Sequence, residues 1–362
     1  MRITFILSFA GLQGGIRVVA VYAKRLKQRG HEVVVVSTPP DISLRRKIKL
    51  FITGRRQIHS EPSYFTGLDV EHRVLEQVRP VVDTDVPDSD IVVATYYTTA
   101  YGVQALSSKK GAKAIFIQGY EVENGKPNPK LDATWRMPMH KIMVSRWLVQ
   151  LAREKFGDQV VSLVPNGVDL DQFHAPLRGK RSVPTVGLLH HNSPLKGCRT
   201  SIKALKQVAT AMPSLRVVSF GAEQPELGLQ LPRFAEFHYQ PAQEKLRELY
   251  SQCDIWLSTS TLEGFCMPLL EAMACRCPVV STRSGGPIDI IEEGVNGYLT
   301  EVGDVGALAD RMLHLLRLSH EEWRQMSDAA YRSATRFNWD DATDLFEDAL
   351  ELAAERKRRG EL

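Results

Sequence analysis

The sequence predicts an α/β protein with two Rossmann-like domains, each a doubly wound parallel sheet covered by helices. Its length of 362 residues exceeds what one core ordinarily fills and fits two domains of about 150–200 residues each. Short apolar segments alternate with segments of helical period from the N-terminus onward, as in β-α-β units. A second alternating series begins near Val183. The apolar content of 43% and the charged content of 24% are ordinary for a soluble globular protein.

A glycine turn follows the first predicted strand. Residues 3–7 are predicted as that strand, Gly14 and Gly15 lie in the turn, and a helical pattern then leads to a second strand at residues 33–36. Open α/β sheets bind ligands at the carboxyl ends of their strands, where this turn lies. The NAD-binding pattern G-x-G-x-x-G is absent and no acidic residue ends the second strand, so the sequence argues against a dehydrogenase. A tight turn into the helix is the plain structural alternative.

Composition argues against several other classes of protein. The net charge of +4 is small for this length, which argues against a dedicated nucleic-acid binder. No apolar stretch reaches the ~18 residues of a membrane span, and the N-terminus carries no signal-peptide cleavage pattern. Five cysteines, an odd number, favour a reducing cytoplasm. Cys275 and Cys277 lack a second ligand pair at zinc spacing, and the adjacent His190 and His191 lack nearby carboxylates, so no metal site is predicted.

Residues 41–59 interleave six basic side chains with apolar ones. One interpretation is an amphipathic helix on an anionic membrane, at the inner face of the plasma membrane and near a lipid-linked acceptor. The alternative is a solvated surface helix or loop, which is the more common use of such a charge run. Both interpretations stay open from the sequence alone.

The most informative stretch lies in the second half of the chain. An apolar strand is predicted at residues 253–257, followed by a polar loop with Glu263 and by a helix that begins near Pro268 and carries Glu271. The free N–H groups and the positive dipole end of that helix favour an anion. The two carboxylates are then expected to point away from the anion and to accept hydrogen bonds from hydroxyl groups. Phosphate beside hydroxyl groups describes a nucleotide-sugar.

Glu263 and Glu271, eight positions apart around Gly-Phe-x-x-Pro, resemble the E-x7-E signature of glycosyltransferase family 4. This family contains retaining, metal-independent enzymes with the GT-B fold. The lead-in Asp-Ile-Trp-Leu-Ser-Thr-Ser and the later residues 278–287 and 293–299 agree with the family in order and spacing. The run from Pro165 to Asp169 is similar to the family's turn between domains.

The resemblance implies a division of the chain into two Rossmann-like domains that face a central cleft. Residues 1–172 are expected to form the acceptor-side domain, completed by a C-terminal helix at residues 340–362. Residues 173–339 are expected to form the domain that binds the nucleotide-sugar.

The resemblance also implies roles for single residues. Lys196 matches a lysine that holds the donor diphosphate, His191 stands at the position of that lysine's partner arginine, and Gln118 stands where many members have a histidine that contacts the transferred sugar. Glu271 is implied to accept from the ribose and Glu263 from the sugar. Glu263, Lys196 and Gln118 are therefore the candidate catalytic residues. The implied donor contacts are Gly14, Gly15, His191, Lys196, Glu263, Gly264, Phe265, Cys266, Met267, Leu270 and Glu271.

The implied activity is transfer of a hexose from a nucleotide-diphosphate sugar, expected to be a UDP-sugar such as UDP-glucose. The implied acceptor is a saccharide or a lipid-linked molecule in polysaccharide or glycolipid biosynthesis, and neither a cofactor nor a metal ion is expected. A glycosidase that uses the two carboxylates as acid and nucleophile is disfavoured, because the resemblance assigns one of them to the ribose. Two alternatives stay open: a GT-B sugar-nucleotide epimerase and a catalytically silent nucleotide-sugar-binding subunit. The departures at Gln118 and His191 motivate the last of these. Two roles stay open for Glu121: a carboxylate on the acceptor side, or a cap of the helix that follows.

Overall fold

The computed structural model describes residues 1–40, 62–120 and 128–362, together with the backbone of residues 122–123 and 126–127. The basic residues 41–59 and Glu121 lie outside the described residues, so the interpretations given for them stay predictions. The chain divides into two compact units, each built on one parallel sheet.

The first unit comprises Met1–Val144, Val149–Val164 and Thr343–Leu362. Its strands are β1 (Arg2–Leu7), β2 (Glu32–Ser37), β3 (Glu71–Val74), β4 (Ile91–Ala94), β5 (Ala112–Ile117), β8 (His140–Met143) and β9 (Val161–Leu163), with the short pair β6 (Val122–Glu123) and β7 (Lys126–Pro127) beside them. The seven-stranded sheet has the order β3-β2-β1-β4-β5-β8-β9, and every neighbouring pair is parallel.

The second unit comprises Ser145–Leu148 and Pro165–Ala342. Its strands are β10 (Thr185–Leu189), β11 (Arg216–Gly221), β12 (Ala235–Tyr239), β13 (Ile255–Ser258), β14 (Val279–Thr282) and β15 (Gly297–Thr300). The six-stranded sheet has the order β12-β11-β10-β13-β14-β15, again with every pair parallel. This is the strand order of a doubly wound Rossmann sheet.

Helices connect the strands of both sheets. They are α1 (Gly14–Gln28), α2 (Tyr97–Ala105), α3 (Pro129–Trp135), α4 (Arg146–Phe156), α5 (Cys198–Ala211), α6 (Gln243–Ser251), α7 (Met267–Ala274), α8 (Pro287–Ile290), α9 (Val305–Arg317), α10 (His320–Thr335) and α11 (Trp339–Arg358). Among the described residues, none of these helices is both long enough and apolar enough to cross a membrane.

The core of the second unit shows why its strands read as continuous apolar runs. Parallel strands covered on both faces bury nearly every side chain. On β10, Val186 and Leu188 belong to one buried cluster together with Leu205 and Val208 of α5 and Met312 of α9. Apolar residues at helical spacing on α5 and α9 therefore complete the layer that the strands begin.

The prediction of two Rossmann-like domains is confirmed. Strand β10 has the predicted bounds, whereas strand β8 directly before α4 and the helices α9 and α10 were not predicted. The structure groups the chain from Pro165 with the second unit and the chain from Thr343 with the first. The sequence-based domain bounds at residues 172 and 340 stay a prediction.

Both sheets have a topological switch point, at which successive connections leave in opposite directions. In the first unit it lies between the neighbouring strands β1 and β4, and in the second between β10 and β13. The loops that follow such a strand pair diverge and leave a crevice at the carboxyl edge of the sheet, where open α/β sheets bind ligands. Most of the predicted site residues follow these strands, and Gln118 follows β5, the neighbour of β4.

Candidate functional site

Lys196 and Glu263 form an ion pair at the switch point of the second unit. Lys196 ends the 3-10 turn Pro194–Lys196 after β10, and Glu263 lies in the loop after β13. The Lys196 Nζ and the Glu263 Oε1 are 2.7 Å apart. Ser260 Oγ donates to the same oxygen over 2.6 Å. The structure therefore joins two predicted site residues and adds a third.

The two loops that carry this pair are joined through Gly197. The Gly197 φ is +65°, and a Cβ on this residue would lie 1.8 Å from the Thr259 carbonyl oxygen. Thr259 Oγ1 donates to the Gly197 carbonyl over 2.9 Å, and the Thr261 N–H donates to the Leu195 carbonyl over 2.8 Å. Only glycine fits both the left-handed backbone and the close approach. Gly197 therefore fixes the separation between the two loops.

A second glycine turn supports the Glu263 loop from the other side. The Glu263 N–H donates to the Ser284 carbonyl over 2.7 Å, and the Gly286 N–H donates to the Glu263 carbonyl over 3.1 Å. Gly285 has a φ of +108°, and a Cβ there would lie 2.6 Å from the Glu263 carbonyl oxygen. Trp147 Nε1 also donates to the Gly264 carbonyl over 3.1 Å. The loop backbone is therefore held rigidly by residues from three other segments.

The carboxylate of Glu263 stabilises the charged form of Lys196. Burial is the largest single influence and lowers the pKa of Lys196, but the charge of Glu263, its hydrogen bond to the ammonium and the nearby Cys266 and Cys198 together raise the pKa above its ordinary value. The ammonium is therefore fully charged at neutral pH. A fixed cation at the carboxyl edge of a parallel sheet is suited to an anionic ligand.

Cys266 marks the start of helix α7. It has a φ of +79° although it is not glycine, and it is buried. Burial raises the pKa of its thiol to about 12, so it is not a nucleophile at neutral pH. Met267 and Pro268 form the first turn of α7, and Pro268 is the second helical residue, one later than predicted. The left-handed residue turns the chain sharply from the Glu263 loop into the helix.

Glu271 lies inside α7 and is only 4% exposed. The Tyr250 hydroxyl of helix α6 donates to its Oε2 over 2.7 Å. Glu271 thus accepts a hydrogen bond from a hydroxyl group, and a ribose hydroxyl would be a donor of the same kind. The side chains of Phe265 and Leu270 are buried in the core, so their donor contacts stay a prediction.

His191 is half-buried in the loop after β10. Its Nδ1 accepts from the Ser193 N–H over 2.9 Å, which assigns the proton of the neutral ring to Nε2. Burial lowers the pKa of His191, so the ring is neutral at pH 7. His191 therefore offers one neutral donor where an arginine would offer a charge.

The remaining predicted residues lie in the first unit. Gln118 follows β5, and its Nε2 donates to the Gly15 carbonyl over 3.0 Å. A Cβ on Gly15 would lie 3.3 Å from that nitrogen, whereas a Cβ on Gly14 would meet nothing within 4 Å. Gln118 therefore holds the glycine turn at the start of α1, and Gly14 leaves open space above it.

Sequence reasoning missed the supporting residues Ser260, Tyr250 and Trp147. Ser260 belongs to the polar loop that the sequence singled out, but a serine beside a glutamate has no special signal. Tyr250 and Trp147 lie 21 and 117 residues from their partners, so no local pattern shows the contacts. In the part of the chain that the structure describes, no group of three or more His, Cys, Asp or Glu side chains is arranged to hold a metal ion. All five cysteines are free and buried.

Comparison with protein families covers most of the chain. Residues 12–172 match the model described as Glycosyltransferase Family 4, and residues 172–333 match Glycosyl transferases group 1. The D-inositol 3-phosphate glycosyltransferase of Mycobacterium tuberculosis is 31% identical over 226 residues, a match that spans 55% of this chain and 46% of that protein. The chain thus spans about half the length of the curated relatives it matches.

Solved structures share the fold at low sequence identity. The Anabaena protein HepE in complex with UDP-glucose is similar with a TM-score of 0.74 at 19% identity, over 97% of this chain and 99% of that one. Sucrose-phosphate synthase from Thermosynechococcus elongatus is similar with a TM-score of 0.72 at 15% identity, over 97% of this chain and 98% of that one.

Proposed function

The chain belongs to the family 4 and group 1 glycosyltransferases, with two Rossmann-like domains of the GT-B class, and we propose that it transfers a hexose from a UDP-sugar to a saccharide or lipid-linked acceptor. The proposed reaction retains the anomeric configuration and needs no metal ion. Its proposed setting is polysaccharide or glycolipid biosynthesis in the cytoplasm.

One observation carries the proposal. Lys196 and Glu263 meet at the switch point of the second sheet, and Glu271 lies on the helix that leaves the same loop. A cation, a helix N-terminus and two carboxylates then lie on adjacent segments of one unit. This combination suits a diphosphate flanked by two groups of hydroxyls, which is the chemistry of a nucleotide-sugar.

The proposed mechanism assigns each group one task. Negative charge grows on the leaving diphosphate as the glycosidic bond breaks, and the Lys196 ammonium offsets it. The backbone N–H groups from Phe265 to Met267 and the His191 Nε2–H are proposed to donate to the same oxygens. Glu271 accepts from the ribose hydroxyls, and Glu263 accepts from the transferred sugar.

The ion pair has a consequence for donor binding. A diphosphate that takes the Lys196 ammonium competes with Glu263 for it, and Glu263 is then free to accept from the sugar. Donor binding would therefore exchange one hydrogen bond to Glu263 for another. This exchange keeps the carboxylate partnered in both states, which avoids the cost of a partly buried, unpaired charge.

The names of similar proteins support this choice of donor. The solved HepE structure contains UDP-glucose, and the mycobacterial relative is named as a glycosyltransferase. UDP-glucose is for this reason the first donor to test.

The test is a thermal-shift panel of nucleotides and nucleotide-sugars, followed by an assay of UDP release with and without acceptors. A ligand at 100 times its Kd stabilises the folded protein by about 2.7 kcal/mol, which is readily measured. The proposal predicts stabilisation by UDP and a UDP-sugar, and acceptor-dependent release of UDP. Binding without release would favour the silent subunit, conversion of the donor without an acceptor would favour the epimerase, and no binding of any nucleotide would contradict the proposal.

A further inference from the structure

The hydroxyl group of Ser260 is buried beside the Glu263 carboxylate. Ser260 is 2% exposed, and its Oγ donates to the Glu263 Oε1 over 2.6 Å. Lys196 Nζ donates to the same oxygen over 2.7 Å. Both donors act on Oε1, and no described residue donates to Oε2. Because Oε1 is covered in this way, Oε2 is the oxygen that can accept from a ligand.

The two donors differ in how far they can move. The Lys196 side chain is 34% exposed and carries its ammonium on a long, flexible stem, so the ammonium can turn towards an anionic ligand. The Ser260 hydroxyl is attached directly to Cβ and can move only by rotation about one bond. A diphosphate can therefore draw the ammonium away from Glu263 while the serine hydroxyl stays where it is.

The backbone around Ser260 is fixed on both sides. The buried Thr282 of β14 donates its hydroxyl to the Ser260 carbonyl over 2.5 Å. Thr259 Oγ1 and the Thr261 N–H donate to carbonyl groups of residues 195–197 over 2.9 and 2.8 Å. The position of the Ser260 hydroxyl is therefore set by the fold and does not depend on a ligand.

A ligand has little room to reach Ser260 itself. The cavity that Ser260 lines together with Lys196 and Glu263 has a volume of about 20 Å³. A single water molecule needs about 10–15 Å³, so this space is far too small for a sugar ring. Ser260 can therefore affect a bound sugar only through the Glu263 carboxylate.

The exchange of partners at Glu263 makes the second donor important. The Glu263 side chain is only 11% exposed, so a carboxylate that lost Lys196 and had no other donor would be poorly solvated and free to rotate. A hydrogen bond from Ser260 to Oε1 prevents both effects. It leaves Oε2 in one direction before the sugar arrives, which lowers the entropy lost on binding and on reaction.

We infer that Ser260 is the positioning residue of Glu263: its hydroxyl keeps Oε1 partnered when the donor diphosphate takes the Lys196 ammonium, and it thereby aims Oε2 at the transferred sugar. The inference rests on the proposed function and adds a residue that determines how the sugar part of the donor is held. Ser260 acts on the sugar and not on the nucleotide, since it touches neither.

The experiment compares binding of UDP with binding of UDP-glucose and UDP-galactose, by isothermal titration calorimetry on the parent and on Ser260→Ala. The readout is the ratio of the affinity for the better-bound UDP-sugar to the affinity for UDP. The ratio should fall about tenfold in Ser260→Ala, and turnover should fall by about tenfold or more, as for loss of a hydrogen bond to a charged group. The affinity for UDP alone should stay unchanged.

Three further variants control for structural damage. Ser281→Ala removes a hydroxyl that is equally buried but contacts the Thr282 carbonyl at 3.4 Å, and it should leave the ratio unchanged. Ser260→Thr keeps a hydroxyl donor and should restore the ratio. Ser260→Cys keeps a similar volume with only a weak donor, so the ratio should fall in this variant even where Ser260→Ala does not fold.

A double-mutant cycle tests whether Ser260 acts through Glu263. In a Glu263→Ala background, Ser260→Ala should change neither the ratio nor turnover any further, because the group that it positions is absent. Additive losses in the double variant would overturn the inference.

The remaining outcomes separate this inference from the proposed function. An unchanged ratio and unchanged turnover in Ser260→Ala would overturn the inference, and so would equal weakening of UDP and the UDP-sugar, which would show that the hydroxyl supports the whole loop. Both results leave the proposed function standing. A parent protein that binds no nucleotide would contradict the proposed function, and this inference with it.

Discussion

The carboxyl edges of the two sheets differ in charge although the sheets share their topology. Both sheets are parallel, and both have a switch point followed by loops that carry the predicted residues. In the second unit these loops hold the Lys196–Glu263 pair and lead to Glu271. In the first unit the described residues that line a cavity at the carboxyl edge of the sheet are uncharged and largely aromatic or aliphatic.

Under the proposed function, strand order sets where a ligand binds and loop residues set which ligand binds. In the second unit, Gly197, Gly285 and Trp147 contact the loop that carries Glu263 and hold it in place. In the first unit, Gln118 holds the glycine turn and Tyr120 packs edge-on against Trp135. Function therefore has to be argued from each site and not from the shared fold. Four predictions test this division of charge between the units.

The largest effect is expected for Lys196→Ala. The variant removes the cation proposed to offset the charge of the leaving diphosphate, and loss of one such group lowers turnover about 100- to 1,000-fold. Steady-state kinetics of UDP release measures this. Lys203→Ala, which removes an exposed lysine on α5 of the same unit, should keep full activity. Equal turnover of Lys196→Ala and the parent would contradict the assignment.

The two glutamates are expected to separate binding from turnover. Glu271→Ala removes the charged group proposed to accept a hydrogen bond from the ribose, and it should weaken UDP binding by about tenfold or more. Glu263→Ala should lower turnover more than it weakens UDP, because its proposed partner is the sugar. Calorimetry with UDP and kinetics with the UDP-sugar measure the two effects. Unchanged affinity for every nucleotide in Glu271→Ala would show that the ribose assignment is wrong.

Gly197→Ala tests whether the loop geometry of the second unit is required. The added Cβ would lie 1.8 Å from the Thr259 carbonyl oxygen, so the loop that carries Lys196 must move away from the loop that carries Thr259 and Glu263. UDP affinity should fall at least tenfold, and the melting temperature should fall as well. Gly294→Ala is the matched control, since its φ of +76° imposes similar backbone strain but its Cβ meets nothing within 4 Å. If both variants lose UDP affinity equally, the close approach at Gly197 is not what matters.

The smallest effect is expected for His191→Ala. Because burial lowers the pKa of His191, the ring is neutral at and above pH 7, and the variant removes a donor but no charge. UDP affinity should fall about tenfold or less, with the same dependence on salt concentration as in the parent. Lys196→Ala should instead reduce the salt dependence, because it removes a charge. A reduced salt dependence in His191→Ala at pH 7 would show that the ring is charged.

Local patterns in the sequence predicted the fold well. Apolar runs and helical spacing located strand β10 at its observed bounds and placed Glu263 in a loop between a strand and a helix. Pro268 marked the start of α7 to within one residue and Gly14 and Gly15 marked the turn before α1, since these residues have backbone preferences that act over a few residues.

Contacts between distant residues could not be predicted in the same way. The Lys196–Glu263 pair joins residues 67 positions apart, and it forms because β10 and β13 are neighbours in the sheet. The Glu271–Tyr250 bond requires the packing of α7 beside α6. The described residues that line the cavity at the carboxyl edge of the first sheet come from several segments, so their shared lack of charge becomes visible only once the sheet order is known.

A crystal structure of the protein with UDP tests the central claim most directly. The account predicts that the diphosphate lies within hydrogen-bond distance of the Lys196 Nζ and beside residues 263–271, with the ribose at Glu271. A diphosphate bound far from these residues would contradict it.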